Sequence, residues 1–149
     1  MFSLLRIALA SCFGLLFAGA LQASDYRSVA VPAATLYDAP SQKAKKLFLI
    51  RMGTPVEVVV RLEGWVKVRD VEGGLAWVES GQLSDRRSLI VMAPDTVLRS
   101  SPNDEASPVG RIDQWVVLEY LGPPSAGWAQ VRHRDGLQGY VRATQVWGL

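Results

Sequence analysis

From about residue 26 onward, apolar residues come in short runs broken by glycine, proline and small polar clusters, and no stretch keeps the 3.6-residue rhythm of a capped helix. Val29-Ala30-Val31 opens the series. Leu36-Tyr37 runs into Asp38-Ala39-Pro40, and Lys46 to Ile50 forms a returning strand. Val56 to Val60 follows the punctuation of Gly53-Thr54-Pro55. Close-set runs of this kind predict short strands joined by tight turns, the pattern of small all-β barrels or sandwiches.

The pattern then repeats. Gly64-Trp65-Val66-Lys67-Val68-Arg69, Gly73 and Trp77-Val78 return as Gly127-Trp128-Ala129-Gln130-Val131-Arg132, Gly136 and Tyr140-Val141, each pair 63 residues apart. Leu89 to Met92 matches the opening strand, Leu98 to Pro102 the proline-ended segment, and Val109 to Ile112 the returning strand. Hairpins are expected at Glu72-Gly73-Gly74 and Asp135-Gly136. The loop before Gly127 is longer than that before Gly64. Only Ser84 to Arg87 separates the copies, so the two modules are expected to be held close together. The duplication divides the chain into residues 26–84 and 87–149.

Residues 1–23 read as a secretory signal peptide. Arg6 is their only charge, an apolar run follows, and Ala18-Gly19-Ala20 or Leu21-Gln22-Ala23 supplies the small-residue exit. Cleavage is expected after Ala23 or Ala20, the alternative being an uncleaved anchor. Cys12 resembles a lipoprotein cysteine, but apolar residues continue beyond it, so it reads as part of the signal. Export places the mature chain in the periplasm or outside the cell, with no membrane attachment after cleavage. It leaves no cysteine, hence no disulfide or thiolate metal site. Losing Arg6 takes the formal charge from +2 to +1, which speaks against nucleic acid as a partner.

Chemistry-bearing residues are few. His133 is the only histidine and lies between Arg132 and Arg134. No serine shows a triad pattern, and no set of ligands converges on a metal, so neither an enzyme nor a cofactor or metal is expected. The tryptophans are the stronger candidates. Alternation in a strand puts Trp65 on one face with Lys67 and Arg69, and Trp128 on one face with Gln130 and Arg132. Aromatic area beside cations suits a peptide or sugar ligand. The candidate ligand-binding set is therefore Tyr37, Trp65, Lys67, Arg69, Trp128 and Arg132, with Trp77 and Tyr140 secondary. Trp115 and Trp147 have no counterpart in the first copy and are assigned to the contact between modules. Arg86-Arg87 and Arg132-His133-Arg134 are basic spots that suit an acidic partner.

In combination, Leu36 to Pro40, Gly64-Trp65, Gly73 and Trp77-Val78, with their second-copy equivalents, resemble the bacterial SH3 (SH3b) domain. The resemblance implies two tandem five-stranded SH3-like barrels, and a non-catalytic binding role in the cell envelope, toward peptidoglycan stem peptides or an envelope protein. The alternative is a structural or regulatory accessory of a cell-wall hydrolase. Glu79 and Arg142 stand where proline-binding SH3 domains carry a proline, and Arg99 replaces the tyrosine in copy two.

Overall fold

The computed structural model describes residues 23–149, so the expected signal segment, Cys12 included, lies outside the described residues apart from Ala23. The remainder is strand and turn. Domain one contains β1 (Tyr26–Val29), β2 (Ala33–Tyr37), β3 (Lys46–Arg51), β4 (Pro55–Leu62), β5 (Trp65–Arg69), β6 (Leu75–Glu79) and β7 (Leu83–Ser84). Domain two repeats them as β8 (Ser88–Val91), β9 (Thr96–Arg99), β10 (Pro108–Ile112), β11 (Val117–Ser125), β12 (Trp128–Arg132), β13 (Gln138–Arg142) and β14 (Val146–Trp147). The strand orders are β3-β2-β6-β5-β4-β1-β7 and β10-β9-β13-β12-β11-β8-β14, antiparallel throughout.

Each copy thus has seven strands where five were expected. In domain one the addition comes from pairing the two ends of the copy. A 3₁₀ turn at Ser80–Gln82 brings Leu83 and Ser84 back against Val29 and Ser28. The Ala30 N–H then donates to the Gln82 carbonyl at 2.8 Å.

Alternation along the strands builds two cores. In domain one Val66, Val68, Ala76 and Val78 point inward against Val29, Leu36 and Val56, all at most 3% exposed. Domain two packs Ala129, Val131 and Val141 against Val91, Leu98 and Leu118 in the same way. Each buried valine or leucine contributes about 1.5–3 kcal/mol. The opposite faces of β5, β6, β12 and β13 are thereby left for the larger and charged side chains.

Two hairpins depend on backbone that favours glycine. Gly64 (φ 74°) and Gly127 (φ 81°) turn β4 into β5 and β11 into β12. The loop expected to be longer in copy two is instead a two-residue turn, Ala126-Gly127, on a longer strand whose register slips between Tyr120 and Gly122 and again before Ser125. The added residue also means that, ahead of it, equivalent positions stand 62 apart. Gly53 (φ 83°) therefore corresponds to Trp115 (φ 70°), and their N–H groups donate to Val29 and Val91 respectively, both at 2.8 Å.

The two domains touch along one seam. Ser88 Oγ donates to the Gly53 carbonyl at 2.6 Å, and Ser28 Oγ to the Arg86 carbonyl at 2.6 Å. Arg27 pairs with Asp85. The Arg87 guanidinium lies 5.5 Å from the ring centroids of Tyr26 and of Tyr120, and also donates to the Gly148 carbonyl at 2.6 Å. Trp147 meets Tyr26 edge to face, so it belongs to the seam as expected. Trp115 was expected there too, yet it is 50% exposed.

Candidate functional site

On the outer face of domain one, cross-strand register sets Lys67 opposite Trp77, Trp65 opposite Glu79, and Tyr37 beside Trp77. Lys67 Nζ stands 5.8 Å from the Trp77 ring centroid, within cation–π range. Tyr37 and Trp65 meet edge to face, with centroids 5.4 Å apart and planes at 86°. Trp65 and Trp77 remain partly exposed, whereas Tyr37 is buried at 6% and acts as the base of the cluster. Four candidates are therefore brought together: Tyr37, Trp65, Lys67 and Trp77.

Arg69 lies apart from them. Its Nη1 donates to Glu57 Oε2 at 2.6 Å, bracing β5 against β4. Arg132 repeats this arrangement in domain two, where Nε and Nη2 both reach Glu119 Oε2, at 2.9 and 2.7 Å.

The second aromatic face has the same register and a different surface. Trp128 shares a face with Gln130 and Arg132, as alternation predicts, but only 6% of it is exposed. The cause is its cross-strand partner. Arg142 sits opposite Trp128, with its guanidinium carbon 5.0 Å from the ring centroid, and Asp104 pairs with Arg142 from the loop beyond β9. In domain one the equivalent of Arg142 is Glu79, which accepts a hydrogen bond from Gln42 at 3.2 Å. A carboxylate is repelled by the negative face of an indole and does not fold over it. One exchange of charge thus leaves Trp65 open and covers Trp128. Tyr140 is half-buried between Gln130 and Arg99.

His133 lies in the β12–β13 loop, with Nδ1 2.8 Å from Asp135 Oδ1. The Leu137 N–H that Asp135 accepts, together with His133, holds the Asp135 carboxyl below its ordinary value. Among the described residues, no group of three or more His, Cys, Asp or Glu side chains is placed to hold a metal ion, and no helix is long and apolar enough to cross a membrane.

The seam holds a feature that adjacency in sequence could not reveal. A cavity of about 570 Å³ opens between the domains, with Ala30, Met52 and Val117 among its apolar lining and Arg86, Arg132 and Arg134 among its charged lining.

No curated protein matches the chain. Among solved structures, NlpC2 and NlpC1 from Trichomonas vaginalis each give a TM-score of 0.40, at 11% and 13% identity, over 86% and 87% of this chain. They are covered over 49% and 48% of their own length. An NlpC/P60 family protein from Bacillus cereus gives a TM-score of 0.38 at 18% identity, over 81% of this chain and 55% of that one. The chain spans about half the length of these structures. In a comparison with protein families, the bacterial SH3 domain matches twice, at residues 30–85 and 93–148. The chain belongs to the bacterial SH3 domain family, as two tandem copies.

Proposed function

We propose that the protein is a non-catalytic binding module of the bacterial cell envelope, exported by its N-terminal segment and recognising peptidoglycan stem peptides or an envelope protein. The observation that carries this reading is the open face of domain one, where Trp65 and Trp77 stand beside Lys67 over a base formed by Tyr37. Indole surface offers apolar area and a hydrogen-bond donor, and the ammonium group supplies charge for a carboxylate or carbonyl. Domain two, with Trp128 under Arg142, plays the supporting part.

Co-sedimentation of the purified protein with isolated peptidoglycan sacculi tests the reading, wild type beside Trp65→Ala and Trp77→Ala, with circular dichroism to check folding. Binding lost in a folded variant supports wall recognition through this face. If the wild type stays in the supernatant, wall recognition is dropped, and crosslinking in envelope extract tests the protein partner.

A further inference from the structure

The two basic spots of the sequence, Arg86-Arg87 and Arg132-His133-Arg134, are far apart along the chain. Pairing of β8 and β12 on either side of β11 sets both beside Glu119, and domain one docks Ala30, Met52 and Gly53 opposite them to close the cavity in the seam. We propose that this cavity is a second binding site, separate from the aromatic face, and that it takes a short acidic peptide of two or three residues with free carboxylates.

The cations are not equivalent. Arg87 is committed to the seam through Tyr26, Tyr120 and the Gly148 carbonyl. Arg132 is oriented by its two bonds to Glu119, with 40% of its side chain exposed. The Arg86 side chain is 82% exposed, and its only ionic neighbour among the described residues is Glu119, at 3.6 Å. Arg134 is exposed and forms no ion pair among the described residues. Four arginines thus line the cavity against one carboxylate, in a protein whose formal net charge is only +2. Positive charge concentrated beside an apolar lining is complementary to a ligand with negative ends and a small apolar body.

Size and lining narrow the ligand further. A volume of about 570 Å³ lies within the range of small-ligand sites and accommodates a few residues rather than a folded partner. Ser88 and Ser28 also line the cavity, but their hydroxyl protons are directed to the Gly53 and Arg86 carbonyls. Recognition therefore falls to guanidinium–carboxylate pairing, which is charge-assisted and directional. Ala30, Met52 and Val117 offer the apolar contact that a bare inorganic anion cannot use.

The proposal stands independently of the aromatic face, and the test separates the two. Glutamyl-alanyl-glutamate with a free C-terminal carboxylate is titrated into the purified protein beside the neutral glutaminyl-alanyl-glutamine amide. Binding is followed by calorimetry and by backbone amide shifts. The acidic peptide is expected to move the amides of Met52, Gly53, Val117 and Gly136, and the neutral one to leave them in place. Arg134→Ala and Arg86→Ala, both at exposed positions, are expected to weaken binding about tenfold each, in line with loss of one charge-assisted contact. Trp65→Ala is expected to bind as wild type. Equal binding of the neutral peptide, displacement by the same concentration of inorganic phosphate, or shifts confined to the Trp65 face would each overturn the proposal, as would unmoved amides in the cavity.

Discussion

Tyr26 and Trp147, near opposite ends of the described chain, meet edge to face with ring centroids 5.0 Å apart and planes at 82°. One ring belongs to the first strand of domain one and the other to the last strand of domain two, so this contact couples the folding of the two copies. A pair of this geometry contributes about 0.5–1.5 kcal/mol beyond the area it buries. Trp147→Ala is expected to lower that coupling by a similar amount. Urea unfolding followed separately in the two domains would then show two midpoints in place of a shared one. Coincident midpoints in the variant would refute the assignment.

The same contact gives the protein an alkaline limit. Burial, and next the charge of Glu57, raise the Tyr26 phenol above its ordinary 10.0, and Arg87 only partly opposes this. The folded state thus prefers the protonated phenol. Its contribution is complete below pH 10.0 and is lost as pH climbs through the higher folded value. Tyr26→Phe cannot ionise, so its thermal midpoint should fall less than that of the wild type between neutral pH and pH above 10.0.

Trp65 and Trp128 occupy equivalent strand positions and are expected to respond differently to truncation. Trp128, 6% exposed under Arg142, should cost about 3–5 kcal/mol when replaced by alanine. Trp65→Ala should cost less than that, because the indole is only partly buried. Urea titration of the two variants checks this, and equal losses would mean that both rings are structural.

Gly139 is the second-copy counterpart of Ala76. An added Cβ would lie 2.5 Å from the Arg99 carbonyl oxygen and 2.8 Å from Leu98 Cγ, so backbone must move to admit it. Gly139→Ala is expected to destabilise domain two by about 1–3 kcal/mol. The reciprocal Ala76→Gly change should be tolerated better, at a cost of about 1 kcal/mol in strand stability.

Trp115 holds a left-handed backbone that a large side chain adopts only under strain, of about 1–2 kcal/mol. Since the indole is half exposed and little packing is lost, Trp115→Gly should raise stability by about 1 kcal/mol in a denaturant titration. A loss of stability would show that the indole packs more firmly than its exposure suggests.

Much of the fold was legible because it rests on local rules. Gly64 and Gly127, and Gly73 and Gly136, mark positive-φ turns that no ordinary residue fills cheaply, and alternation named the inward face of β5 and β12. Side-chain exposure was less legible. Whether a tryptophan is open depends on the residue across the strand, and Glu79 and Arg142 differ there in a way that matters only once register is known. Trp115 was misplaced because the 63-residue spacing of the later half conceals its correspondence to Gly53, which lies ahead of the added residue. The cavity was invisible for a broader reason. Strand pairing in domain two sets Arg86 near Arg132, but the facing wall at Ala30, Met52 and Gly53 comes from domain one, and no local pattern encodes that docking.

The exchange of glycine for tryptophan between the copies also makes their equivalent corners unlike. Domain two docks on domain one where Gly53 has no side chain, close enough that a Cβ there would lie 3.7 Å from Val117. At the equivalent end of domain two an indole fills that place. The two copies therefore present different surfaces at this corner, bare backbone that Val117 approaches in domain one and a half-exposed indole in domain two.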